Sequence, residues 1–132
     1  MSGTVDKQKI GSFSQEVIEL LQLDITAGTP IYIGSSNIEH IKSRHPYEYD
    51  KYFSYISDII SAPDYVGRSP SDESISFVKF FQIGEEYVRV AVRVTTNGTA
   101  FAKTLHLLST VNAERYIEKG TLKTLTNITT EV

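Results

Sequence analysis

Two of the chain's three histidines, His40 and His45, lie five residues apart in the stretch EHIKSRHPYEYDKYF, with Lys42 and Arg44 between them and Pro46 next. The third, His106, sits in AFAKTLHLL, two residues after Thr104. If that run is a strand, Thr104 and His106 point to one side and Leu105 and Leu107 to the other. In the preceding run, EYVRVAVRV, Arg89 and Arg93 alternate with Val88, Val90, Val92 and Val94, so they too face away from the apolar side. A side chain that titrates near neutral pH, beside fixed positive charge and a hydroxyl, is what phosphoryl chemistry without a metal requires. Lys79, in ESISFVKFF, has the parity of Ile75, Phe77 and Phe81, and the pattern leaves its direction open.

The same residues also fit a solvated sheet surface, since most exposed arginines and threonines have no specific role. On a helix, His40 and Arg44 are four apart and share a face, whereas His45 falls nearer Ile38 and Ile41. His45 therefore reads either as a half-buried helix-end residue or, because a helix C-terminus stabilises imidazolium, as a proton donor. A zinc site finds little support: positions five apart on a helix diverge by roughly 140°, and no nearby carboxylate completes a ligand pattern. No Gly-X-Ser-X-Gly elbow is present, and zero cysteines exclude disulfides, thiolate zinc sites and cysteine nucleophiles.

The elements that must position these residues follow from periodicity. FSQEVIELLQL has Val17, Ile18, Leu20 and Leu21 at helical spacing, Ser14 as N-cap, and Phe13 and Ile18 placed for a hydrophobic staple. AGTPIYIG reads as a short extended segment, and SNIEH opens a second helix with Ser36 and Glu39 at capping-box spacing. That helix ends near His45, because the residue before a proline is driven out of helical geometry, and Pro46 opens a third. In the third helix Tyr49, Tyr52, Phe53, Ile56, Ile59 and Ile60 recur every three or four residues until Ala62-Pro63-Asp64 stops it.

From there the period becomes two. ESISFVKFF and EYVRVAVRV read as strands joined through QIGE, and Asn97-Gly98 predicts a two-residue hairpin turn into AFAKTLHLL. VNAERYIEKG reads as a short helix closed by Gly120, and the threonine-rich remainder as a loosely held end. The fold expected is α+β: N-terminal helices packed on one face of a four-stranded antiparallel meander, then a short C-terminal helix.

At 132 residues, 40% hydrophobic and 22% charged, with a mean hydropathy of -0.17, the sequence describes one soluble domain. It carries neither the bias of disorder nor a repeat. The first fifteen residues contain no apolar signal core and no run spans a membrane, so the expected compartment is the cytoplasm. A net charge of -3 argues against non-specific coating of nucleic acid but leaves room for a local basic site.

The run IYIGSSNIEHIKSRHPYEYDKYFSYISDIISAPDYVG, followed by SISFVKFF, VRVAVRV and AKTLHLL, resembles the phage and mobile-element branch of the barnase, EndoU, colicin and RelE-like nucleases over about residues 8–125. Its most specific elements are the His-X4-His-Pro segment, PDYVG, and the basic-hydroxyl-Leu-aromatic pattern from Lys103 to His106. The resemblance implies helices followed by a four-stranded antiparallel sheet, with DYVGRS as its first strand. Members are generally metal-independent ribonucleases, many of them toxins that cut tRNA or other RNA.

By position it implies site residues His40, Arg44 and His45 on the helix, Thr104 and His106 on the last strand, and Lys79 on the first long strand. Position 106 departs from the tyrosine expected more often there. The function expected is then a metal-independent endoribonuclease without cofactor. His45 or His40 would take the proton from a ribose 2'-OH and His106 would protonate the leaving oxygen. Arg44, Lys79, Arg89 and Arg93 would hold the phosphate, and Thr104 would bond a non-bridging oxygen. An immunity or antitoxin protein is the partner implied. The alternatives are a non-catalytic module binding RNA or protein, and an accessory or structural phage protein using the open sheet face as an interface.

Overall fold

The computed structural model describes residues 7–125. Ser14 starts helix α1 (Gln15–Leu21): its hydroxyl oxygen accepts from the Val17 N–H at 3.1 Å, and Val17, Ile18 and Leu21 turn into the core. Helix α2 (Ser35–Arg44) opens differently from the Ser36–Glu39 capping box expected. Its first cap is Gly34, whose N–H donates to Asn37 Oδ1 at 2.9 Å. Pro46 ends α2 and begins α3 (Pro46–Tyr52) as its preset backbone requires. The single third helix expected is instead broken: a 3₁₀ turn, Phe53–Tyr55, separates α3 from α4 (Ile56–Ser61). Phe53, Ile56 and Ile59 are three apart, a spacing that the tighter turn also lines up, so periodicity alone did not mark the break.

Among the described residues the strands form one seven-stranded mixed sheet, and this corrects the four-stranded antiparallel meander under N-terminal helices. The strands are β1 (Lys7–Ser12), β2 (Pro30–Gly34), β3 (Tyr65–Arg68), β4 (Ile75–Phe81), β5 (Glu86–Val94), β6 (Ala100–Leu108) and β7 (Leu122–Thr124). Their order is β1-β2-β6-β5-β4-β3-β7, antiparallel except for β2 beside β6. The additional strands lie at the two ends of the sheet; the outermost, β1 and β7, have one ladder partner each and a weak apolar signal. Only Ile10 is buried in KQKIGS and only Leu122 in LKT. The threonine-rich end therefore includes an ordered strand; the part of it at 126–132 lies outside the described residues.

One face of the sheet carries the main core. Phe77, Val88, Val90 and Leu105 pack there with residues of α1 and α4 such as Ile18 and Ile59. The other face is covered in part by helix α5 (Thr110–Lys119), capped by the Ser109 hydroxyl at one end and by Gly120 at φ 84° at the other. Helices thus flank both faces rather than one. Tyr52, Tyr47 and Lys51 of α3 all donate to the Glu86 carboxylate, which ties α3 to the β4–β5 turn. Burial first, and then its bond to Glu86, pushes the Tyr52 hydroxyl up to about 12. No helix among the described residues is long and apolar enough to cross a membrane.

Candidate active site

The site begins with strand register. Beyond Val94↔Ala100, the β5–β6 ladder shifts by one between Ala91 and Val92, leaving Lys103 as a bulge; Ala91 then pairs with Thr104 and Arg89 with His106. The connecting turn is a three-residue loop, not the two-residue one expected: Thr95 and Thr99 close it, and Gly98 alone has positive φ, at 90°. The bulge compensates for the longer loop. A two-residue Asn97-Gly98 turn would pair Thr96 with Thr99 and, seven residues along each strand, Arg89 with His106, which is the pair observed.

Arg89 is held from three sides. Its Nε donates to Ser76 Oγ at 2.7 Å, Nη2 to Ser74 Oγ at 3.4 Å, and Nη1 lies 3.0 Å from His106 Nε2. His106 Nδ1 lies 2.8 Å from the Leu107 carbonyl. An arginine can only donate and a carbonyl can only accept, so the network assigns the proton of neutral His106 to Nδ1 and a lone pair to Nε2. Burial above all, and then the positive charge of Arg89 and the neighbouring His45, holds His106 below its ordinary value of 6.5, against the opposing pull of its bond to Leu107. Arg89 is itself shifted downward by burial.

The second part of the site comes from the α2–α3 corner. Strand β2 pairs with β6 only at Ala100 and Phe101, so the far half of β6 has an open edge. The corner fills it: Glu48 Oε2 accepts the edge N–H of Leu107 at 3.1 Å. His45 stacks on His106 with ring centroids 5.4 Å apart and planes at 29°, and His40 meets His45 edge-on at 6.1 Å. His45 Nδ1 lies 3.9 Å from Glu48 Oε2, ion-pair distance when the imidazole is protonated. All three histidines are thereby gathered, His40 and Arg44 on the exposed rim.

Arg89 and His106 also form one wall of an open cleft of about 410 Å³, whose other walls come from β3, α5 and β7. Thr104, on the same strand face, is only 8% exposed, and its hydroxyl has no hydrogen-bond partner among the described residues. Two other expected residues lie elsewhere. Lys79 follows its apolar parity and caps α4, donating to the Ala62 carbonyl at 2.8 Å. Arg93 lines a separate depression with Asp72 and Glu73. Sequence reading missed Ser76 and Glu48; each carried a signal, Ser76 in having parity opposite to Phe77 and Glu48 in lying three residues after His45. Tyr116, also missed, carried none.

A fixed guanidinium beside stacked imidazoles, on an α+β sheet, fits the class of small nucleases, since it sets fixed positive charge beside groups able to move protons. The chain belongs to a family within that class, the phage-Barnase-EndoU-ColicinE5/D-RelE like nucleases, group 3, which matches residues 8–115. No curated protein and no solved structure matches it.

Proposed function

We propose that this nuclease is a metal-independent endoribonuclease, and the observation that carries the reading is the His45–His106 stack with Arg89 bonded to its inner member. A phosphate entering beside Arg89 draws the guanidinium onto its non-bridging oxygens and frees His106 Nε2. That nitrogen, unprotonated at neutral pH, takes the proton of the ribose 2'-OH while the 2'-oxygen bonds to phosphorus. His45 gives its proton to the 5'-oxygen as the P–O5' bond breaks. The products are a 2',3'-cyclic phosphate and a free 5'-OH, and DNA, lacking the 2'-OH, is resistant. The lowered value of His106 thus supports the base role for it, and the Glu48 carboxylate 3.9 Å from His45 Nδ1 supports the acid role for His45. Thr104 supplies a hydroxyl to the same phosphate. Family membership supports a nucleic acid as the polymer cut; RNA, tRNA included, and an immunity protein as partner are part of the reading proposed.

The test is incubation of purified protein with total RNA in EDTA, beside His45→Ala and His106→Ala variants. Wild type should release cyclic-phosphate ends, and each variant should lose roughly 100-fold or more in rate. Intact RNA with wild type, or equal cutting by either variant, overturns the mechanism. One observation favours a second reading, a module that binds RNA without cutting it: Arg89 already has protein partners on three sides. That module would show binding without cleavage, weakening steeply with salt.

A further inference from the structure

We propose that the cleft beside Arg89 is a nucleobase pocket, receiving one unpaired base next to the phosphate that Arg89 and His45 hold. The inference rests on the ribonuclease reading for its substrate and on the cleft itself for its content. At about 410 Å³ the cleft falls in the range of small-ligand sites. Its surface is mostly carbon, with Leu108, Leu122 and Pro70 as apolar walls and Tyr116 of α5 lining it as well. Beyond the Arg89–His106 wall with Ser76, and Thr121 beside Leu122, the polar groups are the hydroxyls of Ser69 and Ser71, 3.1 Å apart, and the Arg68 guanidinium. The Arg68 side chain has no hydrogen bond or ion pair among the described residues, so its five N–H groups are free to meet a ligand.

A ligand that is flat, apolar on both faces, polar at its rim and tethered to a phosphate matches all of this, and a nucleobase is that ligand. Single-stranded RNA presents its bases in this way, splayed out and stacked on aromatic rings or guanidinium planes. The cleft and the phosphate position share Arg89 and His106 as a common wall, so a base in the cleft and the adjoining phosphate at the histidines belong to one short stretch of chain. Tyr116 is the stacking residue, and Arg68 and the two serines read the base edge. A duplex cannot present a base in this manner without unstacking it, so unpaired RNA is the substrate class.

The experiment uses oligonucleotides with 2'-O-methyl riboses, which cannot be cut by 2'-OH attack, so binding is read independently of cleavage. Fluorescence anisotropy compares a fully base-bearing single strand with abasic strands of equal charge, the missing base placed at each position in turn. Wild type should bind one abasic strand roughly ten-fold more weakly than the parent, the loss of one stacked base. Tyr116→Ala should abolish that difference and Tyr116→Phe should keep it. Equal binding of every abasic strand by wild type, which needs no variant to fold, overturns the pocket; so does retention of the difference in folded Tyr116→Ala. RNA that is bound with base discrimination but never cut would leave the pocket standing and refute the ribonuclease reading. Cutting without discrimination would do the reverse.

Discussion

Arg89 and His106 sit side by side in different charge states: the guanidinium is cationic, and burial first, with that charge added, favours the neutral imidazole. This has a consequence for stability. In the folded chain protonation of His106 is disfavoured, and in the unfolded chain it is not, so just below pH 6.5 the unfolded state binds more protons. Stability should therefore fall as pH drops from 6.5 towards the lowered native value, and be unaffected by this group above it. Urea denaturation at about pH 7.5 and about pH 5.5 should show wild type losing more stability on acidification than His106→Gln, which has no such proton to take up. An equal loss in both would place the acid sensitivity elsewhere. By the same charge logic, the acid limb of the cleavage profile should lie below the value of an ordinary imidazole.

At the scale of elements, the open half-edge of β6 is the feature that makes the site. A strand edge exposes N–H and C=O groups that must find partners, and here the α2–α3 corner provides one of them through Glu48. The same carboxylate lies beside His45, so one side chain closes the edge and fixes the imidazole that stacks on His106. Glu48→Ala should cost about 1–2 kcal/mol, the penalty of leaving a largely buried backbone donor unpaired. Amide exchange should show it locally, with Leu107 exchanging faster than its neighbours on β6; unchanged protection there would mean that the corner docks without this bond. The elements themselves were legible in the sequence where their signals are local. Ser14 as a cap, Pro46 as a boundary and Gly120 as a stop act within a few residues, and all three do so in the structure. The break at Phe53–Tyr55 was not legible, since the apolar spacing that predicted one helix also suits the 3₁₀ turn.

For the whole molecule, the far end of the sheet depends on the last strand. Strand β7 pairs with β3, bringing the chain so near that a Cβ on Gly67 would lie 2.1 Å from the Thr121 carbonyl oxygen. Gly67→Ala must push that backbone away and should destabilise by about 3 kcal/mol, as overpacking does. Removing residues 121–132 should also destabilise, by uncovering β3 and taking away the buried side chains of Leu122 and Leu125. The two changes act at one place, so in the shortened chain Gly67→Ala should cost much less than in the full one. Thermal unfolding of the four proteins in the cycle checks this, and additive losses would show that the clash is not with this segment.

What the sequence by itself determined is what nearest neighbours along the chain decide: helix caps, the strand period, and the parity that put Arg89, Thr104 and His106 on the face opposite the valines. It also carried the family, through motifs within short windows. Only the tertiary structure decided that β1, β2 and β7 extend the sheet: β1 and β7 are short and largely polar, and although PIYIG reads as extended, only its pairing with β1 and β6 places β2 in this sheet. It alone decided which basic residues gather: Lys79 went to a helix end, Arg93 to another depression, and Arg89 to His106 through a bulge at Lys103. Above all it placed His45 against His106, 61 positions later in the chain. That contact exists because β2 leaves half of β6 unpaired and a helix corner fills the gap, a condition on backbone hydrogen bonds that no local run of residues expresses.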